Sequence, residues 1–248
     1  MTVVLVHGNP ETDAIWDPLV DRLGRDDVVR LSPPGFGAPL PDDFPATAPA
    51  YRDWLTAQVA AIGGPVDLVG HDWGGGHVMG LVMTRPDLVR SWVCDILGSF
   101  DPEYVWHDLA QLWQTPGTGE AVVAQMFGGT LDDRATGLTA LGIPESTARS
   151  IASGQGPEMG RALLALYRSA PNTAMAETGR RLPSAAARPG LAILATEDGY
   201  VGTPEMHRRS AALAGARVEV LDGLGHWWML QDPDRAAEVL GRFWDSLV

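Results

Sequence analysis

The stretch VGHDWGGG at residues 69–76 joins an apolar run to a segment of small residues. Its outline is glycine, any residue, a polar residue, any residue and glycine, which is typical of a sharp turn between a strand and a helix. Such a turn holds its central side chain above the edge of a sheet, and here that side chain is Asp72. Asp72 could instead serve only as the N-cap of the helix, but four glycines so close together favour the tight turn.

The composition limits the classes of partner. The chain has 248 residues, which fits one α/β domain with room for an insertion. Its 31 acidic residues outnumber the 18 basic ones, and the net charge of −13 predicts that neither nucleic acid nor an anionic membrane is a partner. Cys94 is the one cysteine, which excludes an intramolecular disulfide and a cysteine-based metal site. We see no secretory leader and no apolar run long enough for a bilayer, so we expect a soluble, cytoplasmic protein.

Short apolar runs alternate along the chain with amphipathic, helix-like segments. Strand, helix, strand at this spacing predicts the α/β class, with a mostly parallel central sheet and helices on both faces. Because the first run begins at Val3, we expect the N-terminal strands to be shortened and the sheet to be small. The predicted strands are residues 3–6, 28–31, 66–69, 92–97, 191–196 and 218–221.

The alternation stops between about residues 98 and 189, where helix-like pieces, the first at residues 104–113, are separated by glycine and proline and no strand is evident. These pieces could be ordinary crossover helices, but about 90 residues is long for one connection. We therefore predict a helical cap inserted after the fourth parallel strand. Residues 1–98 and 189–248 then form the core domain, and residues 99–188 form the cap.

Polar side chains follow the predicted strands at the edge where an open parallel sheet binds its ligands. Asp72 follows the third strand, Asp198 the fifth and His226 the sixth. Nucleophile, acid and histidine in this chain order form a catalytic triad in several hydrolases. We therefore predict Asp72 as nucleophile, His226 as base and Asp198 as the acid that orients it. Asp95, at the end of the fourth strand, is an alternative acid, and Glu197 could replace its neighbour Asp198.

A carboxylate in this position predicts a particular chemistry. Attack on an acyl carbon would leave an unstable anhydride, which disfavours an ordinary esterase, whereas attack on a saturated carbon gives an alkyl ester. His226 would then activate water to hydrolyse the ester on Asp72. The backbone N–H groups of Asn9 and Trp73 are candidates for the oxyanion hole. The chemistry requires neither a metal nor an organic cofactor, so we predict none.

Six motifs carry a resemblance that extends over most of the chain. It resembles the branch of the α/β-hydrolase fold that holds epoxide hydrolases and haloalkane dehalogenases, and the resemblance implies the two-step mechanism through a covalent ester. The motifs are HGNPET at 7–12, PPGFG at 33–37, GHDWGG at 70–75, ALYRSA at 165–170, TEDGYV at 196–201 and GLGHWW at 223–228.

The leaving group separates the members of this branch. Epoxide hydrolases typically use two cap tyrosines to protonate the alkoxide, and Tyr167 matches one of them in its Tyr-Arg context. The other position resembles the segment around Trp113, which has no tyrosine, although Tyr104 lies nearby. Some haloalkane dehalogenases bind the halide through an asparagine and a tryptophan, for which Asn9 and Trp73 are candidates, and some place the acid where Asp95 stands.

We predict an epoxide hydrolase that opens a neutral, hydrophobic small molecule to a diol. The alternatives are a haloalkane dehalogenase and a non-catalytic small-molecule receptor of the same fold. We expect a monomer or a homodimer that binds neither nucleic acid nor a membrane, and we interpret His71, His77, His107 and His207 as structural or exposed. The candidate pocket residues are aromatic: Phe36, Tyr104, Trp106, Trp113 and Trp227.

Overall fold

Six parallel strands form a single sheet in the computed structural model, which describes residues 1–247. The strand order across the sheet is β2-β1-β3-β4-β5-β6. Helices lie on both faces of the sheet, so the predicted α/β architecture is confirmed. The strands are β1 (Val3–Val6), β2 (Val28–Leu31), β3 (Val66–Gly70), β4 (Val89–Cys94), β5 (Gly190–Ala195) and β6 (Arg217–Leu221).

Burial along the strands follows their place in the sheet. Every residue of β1 and β3 is buried, because helices cover both faces of these central strands. The edge strands β2 and β6 are only partly buried, and they carry Arg30 and Glu219 where one side meets solvent. The apolar runs in the sequence therefore mark the centre of the sheet most clearly.

The core helices divide between the two faces of the sheet. Val4, Val6 and Leu68 belong to one hydrophobic cluster, whereas Val3, Leu5 and Val69 belong to the other, as the alternation of side chains along a strand requires. The first cluster includes residues of α2 and α3, and the second includes residues of α1 and α12. These helices are α1 (Asp17–Leu23), α2 (Ala48–Ile62), α3 (Trp73–Val82), α10 (Pro204–Leu213), α11 (Trp228–Gln231) and α12 (Pro233–Asp245).

The segment between β4 and β5 consists of helices joined by loops, with no strand among its described residues. Its first long helix begins at Asp108, four residues later than the helix-like pattern predicts, because His107 forms the N-cap and its Nδ1 accepts a hydrogen bond from the Ala110 N–H. The division of the chain into a core domain and a cap stays a prediction. The helices are α4 (Asp108–Gln114), α5 (Thr118–Phe127), α6 (Leu131–Ala140), α7 (Glu145–Gly154), α8 (Pro157–Ser169) and α9 (Asn172–Gly179).

Within residues 1–247, the longest apolar helices fall short of what a membrane crossing needs.

Candidate active site

Asp72 lies in a strained turn between β3 and α3. Its backbone has φ 49° and ψ −130°, in a region that few residues other than glycine adopt. The neighbouring chain is too close for side chains: a Cβ on Gly74 would lie 2.1 Å from the Val6 carbonyl oxygen, and one on Gly8 would lie 2.3 Å from the Asp72 Cβ. The glycines of this turn therefore let it approach β1, and the turn lifts the Asp72 carboxylate above the sheet edge.

The two carboxylate oxygens of Asp72 have different surroundings. Oδ1 accepts a hydrogen bond of 3.0 Å from the backbone N–H of Asn9. The Trp73 backbone N–H, next along the chain, acts to lower the pKa of the carboxylate. Oδ2 lies 3.8 Å from Nε2 of His226. Burial nevertheless dominates and raises the pKa of Asp72 to about 6.

His226 is oriented by Asp198. Its Nδ1 lies 2.8 Å from Oδ2 of Asp198, and the other Asp198 oxygen accepts a 2.8 Å hydrogen bond from the Tyr200 N–H. Burial alone would lower the pKa of His226, but the charge of Asp198 and its hydrogen bond raise it above the usual value. The ring is thereby held with Nε2 facing Asp72, which is the arrangement that a general base requires.

Asp95, the alternative acid, contacts other groups. Its Oδ1 accepts a 3.0 Å hydrogen bond from the Asp72 backbone N–H. Its Oδ2 lies 2.6 Å from Nδ1 of His71 and 2.8 Å from the indole nitrogen of Trp228. Asp95 therefore holds the backbone of the turn, whereas the His226 ring is bound by Asp198.

His71 and Glu11 form a buried group beneath the turn, to which the sequence alone assigned no role. His71 Nε2 lies 3.2 Å from Oε1 of Glu11, and Trp227 donates its indole hydrogen to the same oxygen. Both nitrogens of His71 thus face carboxylates, which calls for a proton on each. Burial opposes that charge, but Asp95 and Glu11 raise the pKa of His71 well above its usual value. The signal for this group was Glu11 within HGNPET and His71 directly before Asp72.

A metal could in principle use Glu11, His71 and His226, which offer ligand atoms within 4.8 Å of one another. The two His71 nitrogens, however, are both directed at carboxylates. His71 therefore has no free lone pair, and the arrangement fits a proton-bearing network better than a metal centre.

A small cavity lies beside Asp72. The space open to the centre of a water molecule is about 10 Å³, which is room for about one water. Trp106 is the one predicted pocket residue that lines it. His107 also lines it, and burial lowers the pKa of His107 to about 4, so its ring is neutral at pH 7. The lining residues are Asp72, Trp73, Ile96, Ser99, Trp106, His107, Tyr200 and Val201.

The other four predicted pocket residues do not line this cavity and contact other groups. Phe36 packs against Tyr51 with ring centroids 5.8 Å apart. The Tyr104 hydroxyl donates a 2.7 Å hydrogen bond to the carbonyl of Tyr200, so its proton is already in use. Trp227 donates its indole hydrogen to Glu11. The ring centroid of Trp113 lies 4.7 Å from that of Tyr167.

Tyr167, the predicted proton donor, projects from α8 into an aromatic cluster over the site. Its ring lies edge-on to Trp73 and Trp106, at centroid distances of 5.5 and 5.2 Å. Burial and the charge of Asp72 raise the pKa of Tyr167 well above its usual value, so the hydroxyl keeps its proton. The indole nitrogen of Trp73 and the side-chain amide of Asn9 are buried and have no hydrogen-bond partner among the described residues.

A carboxylate on a strained strand-to-helix turn, faced by a histidine and acid pair, on a parallel sheet with flanking helices, defines a hydrolase of the α/β type. Residues 3–239 match the family model described as the alpha/beta hydrolase family. The chain belongs to that family, and its predicted membership is confirmed.

The chain is also similar to individual proteins. It is 24% identical over 269 residues to an uncharacterised protein of Mycobacterium tuberculosis, covering 98% of this chain and 75% of that protein. It is 36% identical over 110 residues to the cis-3-alkyl-4-alkyloxetan-2-one decarboxylase of Xanthomonas campestris, covering 40% of this chain and 36% of that protein. The structure of a loop variant of the haloalkane dehalogenase DbeA from Bradyrhizobium elkanii has a TM-score of 0.72 at 22% identity, covering 99% and 90% of the two chains. At that identity the likeness shows the fold alone.

Proposed function

We propose that this hydrolase opens epoxides to diols through an ester on Asp72. The observation that supports the proposal is that the two Asp72 oxygens face different groups, beneath a buried tyrosine that keeps its proton. Oδ1 is held by the Asn9 N–H, whereas Oδ2 faces His226. Tyr167 keeps its proton in the field of Asp72, as a proton donor for an alkoxide must.

In the first step, Oδ2 of Asp72 attacks a ring carbon of the epoxide. The carbon–oxygen bond of the ring breaks, its electron pair goes to the oxygen, and that oxygen takes a proton from the Tyr167 hydroxyl. The products are a hydroxyalkyl ester of Asp72 and a tyrosinate. The neighbouring indole N–H of Trp73, which has no other partner among the described residues, can stabilise that tyrosinate.

In the second step, water gives a proton to Nε2 of His226 and attacks the carbonyl carbon of the ester. The negative charge forms on Oδ1, to which the backbone N–H of Asn9 already donates. The backbone N–H of Trp73 is the second donor in this proposal. Collapse of this intermediate breaks the bond between the Asp72 carboxyl carbon and Oδ2, so Oδ2 leaves with the product and the oxygen of the water stays on Asp72. The leaving alkoxide takes the proton from His226, and the new carboxyl group gives its proton to the tyrosinate, so the sum is epoxide plus water to diol.

The substrate we propose is neutral and hydrophobic, because aromatic rings surround the reacting oxygen. Because the cavity beside Asp72 has room for about one water, the segment that carries Trp106 and His107 must move aside to admit the substrate. The relative from Xanthomonas campestris is named for an alkyl-substituted oxetan-2-one, which is also a strained oxygen ring. That name supports a strained ring as the class of electrophile.

Intact mass spectrometry tests the proposal directly. We expect a His226→Gln variant incubated with styrene oxide to gain the whole mass of the epoxide on Asp72 and then to stall, because the ester cannot be hydrolysed. The matched control is Asp72→Asn with His226→Gln, which should gain no mass. A His226→Gln protein that stays unmodified while the parent makes no diol would refute epoxide hydrolysis.

Haloalkane dehalogenation is a second candidate, favoured by one observation. The side-chain amide of Asn9 and the indole N–H of Trp73 are buried beside Asp72 without partners among the described residues. Two such donors suit a departing halide, which needs hydrogen bonds but no proton. The variants Tyr167→Phe and Trp73→Phe separate the candidates: epoxide opening should depend most on Tyr167, and bromide release from 1-bromobutane should depend most on Trp73.

A further inference from the structure

A second cleft shares Trp73 with the catalytic cavity but is not lined by Asp72. We call it the outer cleft. It lies between α2, α3, the end of α8 and α9, and its volume is about 140 Å³. Trp73 lines both this cleft and the catalytic cavity, whereas Asp72 lines the catalytic cavity and not the cleft. Its lining residues are Ala48, Pro49, Arg52, Trp73, Gly76, His77, Gly80, Met83, Phe100, Ser169, Ala170, Ala174, Met175, Thr178 and Arg181.

The floor of the outer cleft exists because one face of α3 carries glycine. Gly76 and Gly80 are four residues apart, so they stand one turn apart on the same face. A Cβ on Gly80 would lie 3.0 Å from Cγ of Arg52. The missing side chains therefore leave space above α3 and let the stem of Arg52 lie across it.

The interior of the outer cleft is apolar. Met83, Phe100 and Met175 contribute to its walls, together with Trp73. His77 also lines it, but burial lowers the pKa of His77 to about 3, so that ring is neutral at pH 7. A cavity of 150 Å³ in another protein accommodates benzene, so a volume of about 140 Å³ suits roughly six carbon atoms.

The charge of the outer cleft is positive in a chain whose net charge is −13. Among the described residues that line it, Arg52 and Arg181 carry charge and no carboxylate is present. Arg52 pairs with the exposed Asp53 at 2.7 Å. Arg181 is exposed and forms no ion pair within residues 1–247. An anion at the mouth would therefore meet two guanidinium groups and no competing acid from the lining.

We infer that the outer cleft binds an amphipathic monocarboxylate, with about six carbon atoms against Trp73 and the carboxylate at Arg52 and Arg181. The ligand differs in charge from the neutral substrate proposed for Asp72. It is held in a cleft that Asp72 does not line, so this site does not depend on the chemistry proposed for the catalytic cavity.

Isothermal titration calorimetry with hexanoate and 1-hexanol tests the charge of the ligand. We expect hexanoate to bind about tenfold more tightly than 1-hexanol at low ionic strength, because exposed guanidinium contacts contribute about two- to fivefold each. Arg181→Gln should weaken hexanoate binding about threefold to fivefold and leave 1-hexanol unchanged. The control is Arg180→Gln, which alters an exposed arginine that pairs with Glu177 and does not line the cleft.

Two further variants locate the bound ligand. Ala174→Phe should fill the outer cleft and weaken both ligands at least tenfold, since the lost space is needed by the carbon chain. Asp72→Asn should leave hexanoate binding unchanged, because Asp72 does not line the cleft. Equal affinities for the two ligands, an Arg181→Gln protein that binds like the parent, or stronger hexanoate binding in Asp72→Asn would each overturn the inference, the last by placing the anion beside the nucleophile.

Discussion

Asp72 combines two demands that oppose each other. A nucleophilic carboxylate must be ionised, yet burial penalises the charge and raises the pKa of Asp72 to about 6. The charges of His226 and His71 offset part of that cost, and the Asn9 N–H donates a hydrogen bond to the carboxylate. The proposed nucleophile is therefore held in surroundings that an ordinary surface aspartate does not have.

The cost of ionising Asp72 predicts that Asp72→Asn stabilises the fold at high pH. A folded-state pKa raised from 3.8 to about 6 lowers stability as the pH rises through that interval, by about 3 kcal/mol in all. We expect the variant to exceed the parent by about 2–3 kcal/mol at pH 8 and to match it below pH 4, in urea unfolding at each pH. The control is the exposed Asp26→Asn. Equal stability of variant and parent at pH 8 would contradict the argument.

The same carboxylate predicts the pH dependence of the proposed activity. Alkylation requires ionised Asp72, so kcat/KM should fall tenfold for each pH unit below about 6. Hydrolysis of the ester requires neutral His226, whose pKa is raised by Asp198, so this step should lose rate already above pH 6.5 as the pH falls. Rapid-quench measurements between pH 5 and 9 should therefore show more ester accumulating at pH 6.5 than at pH 8.5. An ester fraction independent of pH would assign the base to another group.

At the scale of the element, the shape of the turn between β3 and α3 depends on its close contacts with the end of β1 and with Asp95, which follows β4. The turn packs against the end of β1, where the Val6 carbonyl oxygen would be 2.1 Å from a Cβ on Gly74. Asp72 can keep its positive φ because both sides of the turn are clamped, by α3 on one side and by the Asp95 hydrogen bond to its backbone on the other. The packing of the turn therefore holds Asp72 in a backbone conformation that would be unfavourable for an isolated aspartate.

A matched pair of glycine substitutions tests this close approach. Gly74→Ala should destabilise the protein by about 3 kcal/mol or more, because the new methyl group would overlap the Val6 carbonyl. Gly137→Ala is the control, since Gly137 is exposed on α6 and a Cβ there would meet nothing within 4 Å. That second change should stabilise by up to about 1 kcal/mol, because alanine favours a helix. Thermal unfolding measures both, and equal shifts for the two variants would contradict the role of Gly74.

At the scale of the whole molecule, the sheet gathers charged groups that are far apart in the chain. Glu11 follows β1, His71 follows β3 and Asp95 follows β4, and they meet beneath the nucleophile. His226 lies close above, with its ring 4.6 Å from that of His71. The positive charge of His71 is thus shared by two carboxylates and opposes protonation of His226.

This buried ion group predicts a large and selective effect of one substitution. His71→Asn leaves Glu11 and Asp95 without their shared cation, and breaking such a buried pair costs about 3–5 kcal/mol. The penalty should shrink at low pH, where the two acids accept protons in the variant. The control is Arg52→Gln, which breaks an exposed ion pair and should cost less than about 1 kcal/mol. Urea unfolding at pH 7.5 and pH 4.5 measures both, and a His71→Asn cost below that of Arg52→Gln would contradict this account.

Local patterns along the chain determined the architecture of this protein. The alternation of buried strands and amphipathic helices predicts the parallel sheet, and the glycines around Asp72 predict the turn, because both depend on neighbours within a few residues. The start of α4 was misplaced, since the cap at His107 is a single hydrogen bond that the apolar pattern does not reveal.

Tertiary structure alone decided which polar groups meet. His226 pairs with Asp198 while Asp95 binds His71 and the turn, although both acids end strands at the same sheet edge and look equivalent in sequence. The Tyr104 hydroxyl donates a hydrogen bond to the carbonyl of Tyr200, which is distant in the chain. These choices depend on distances of a few ångströms between residues up to 96 positions apart in the chain. Such distances are set by the packing of the whole sheet and its helices rather than by any local pattern.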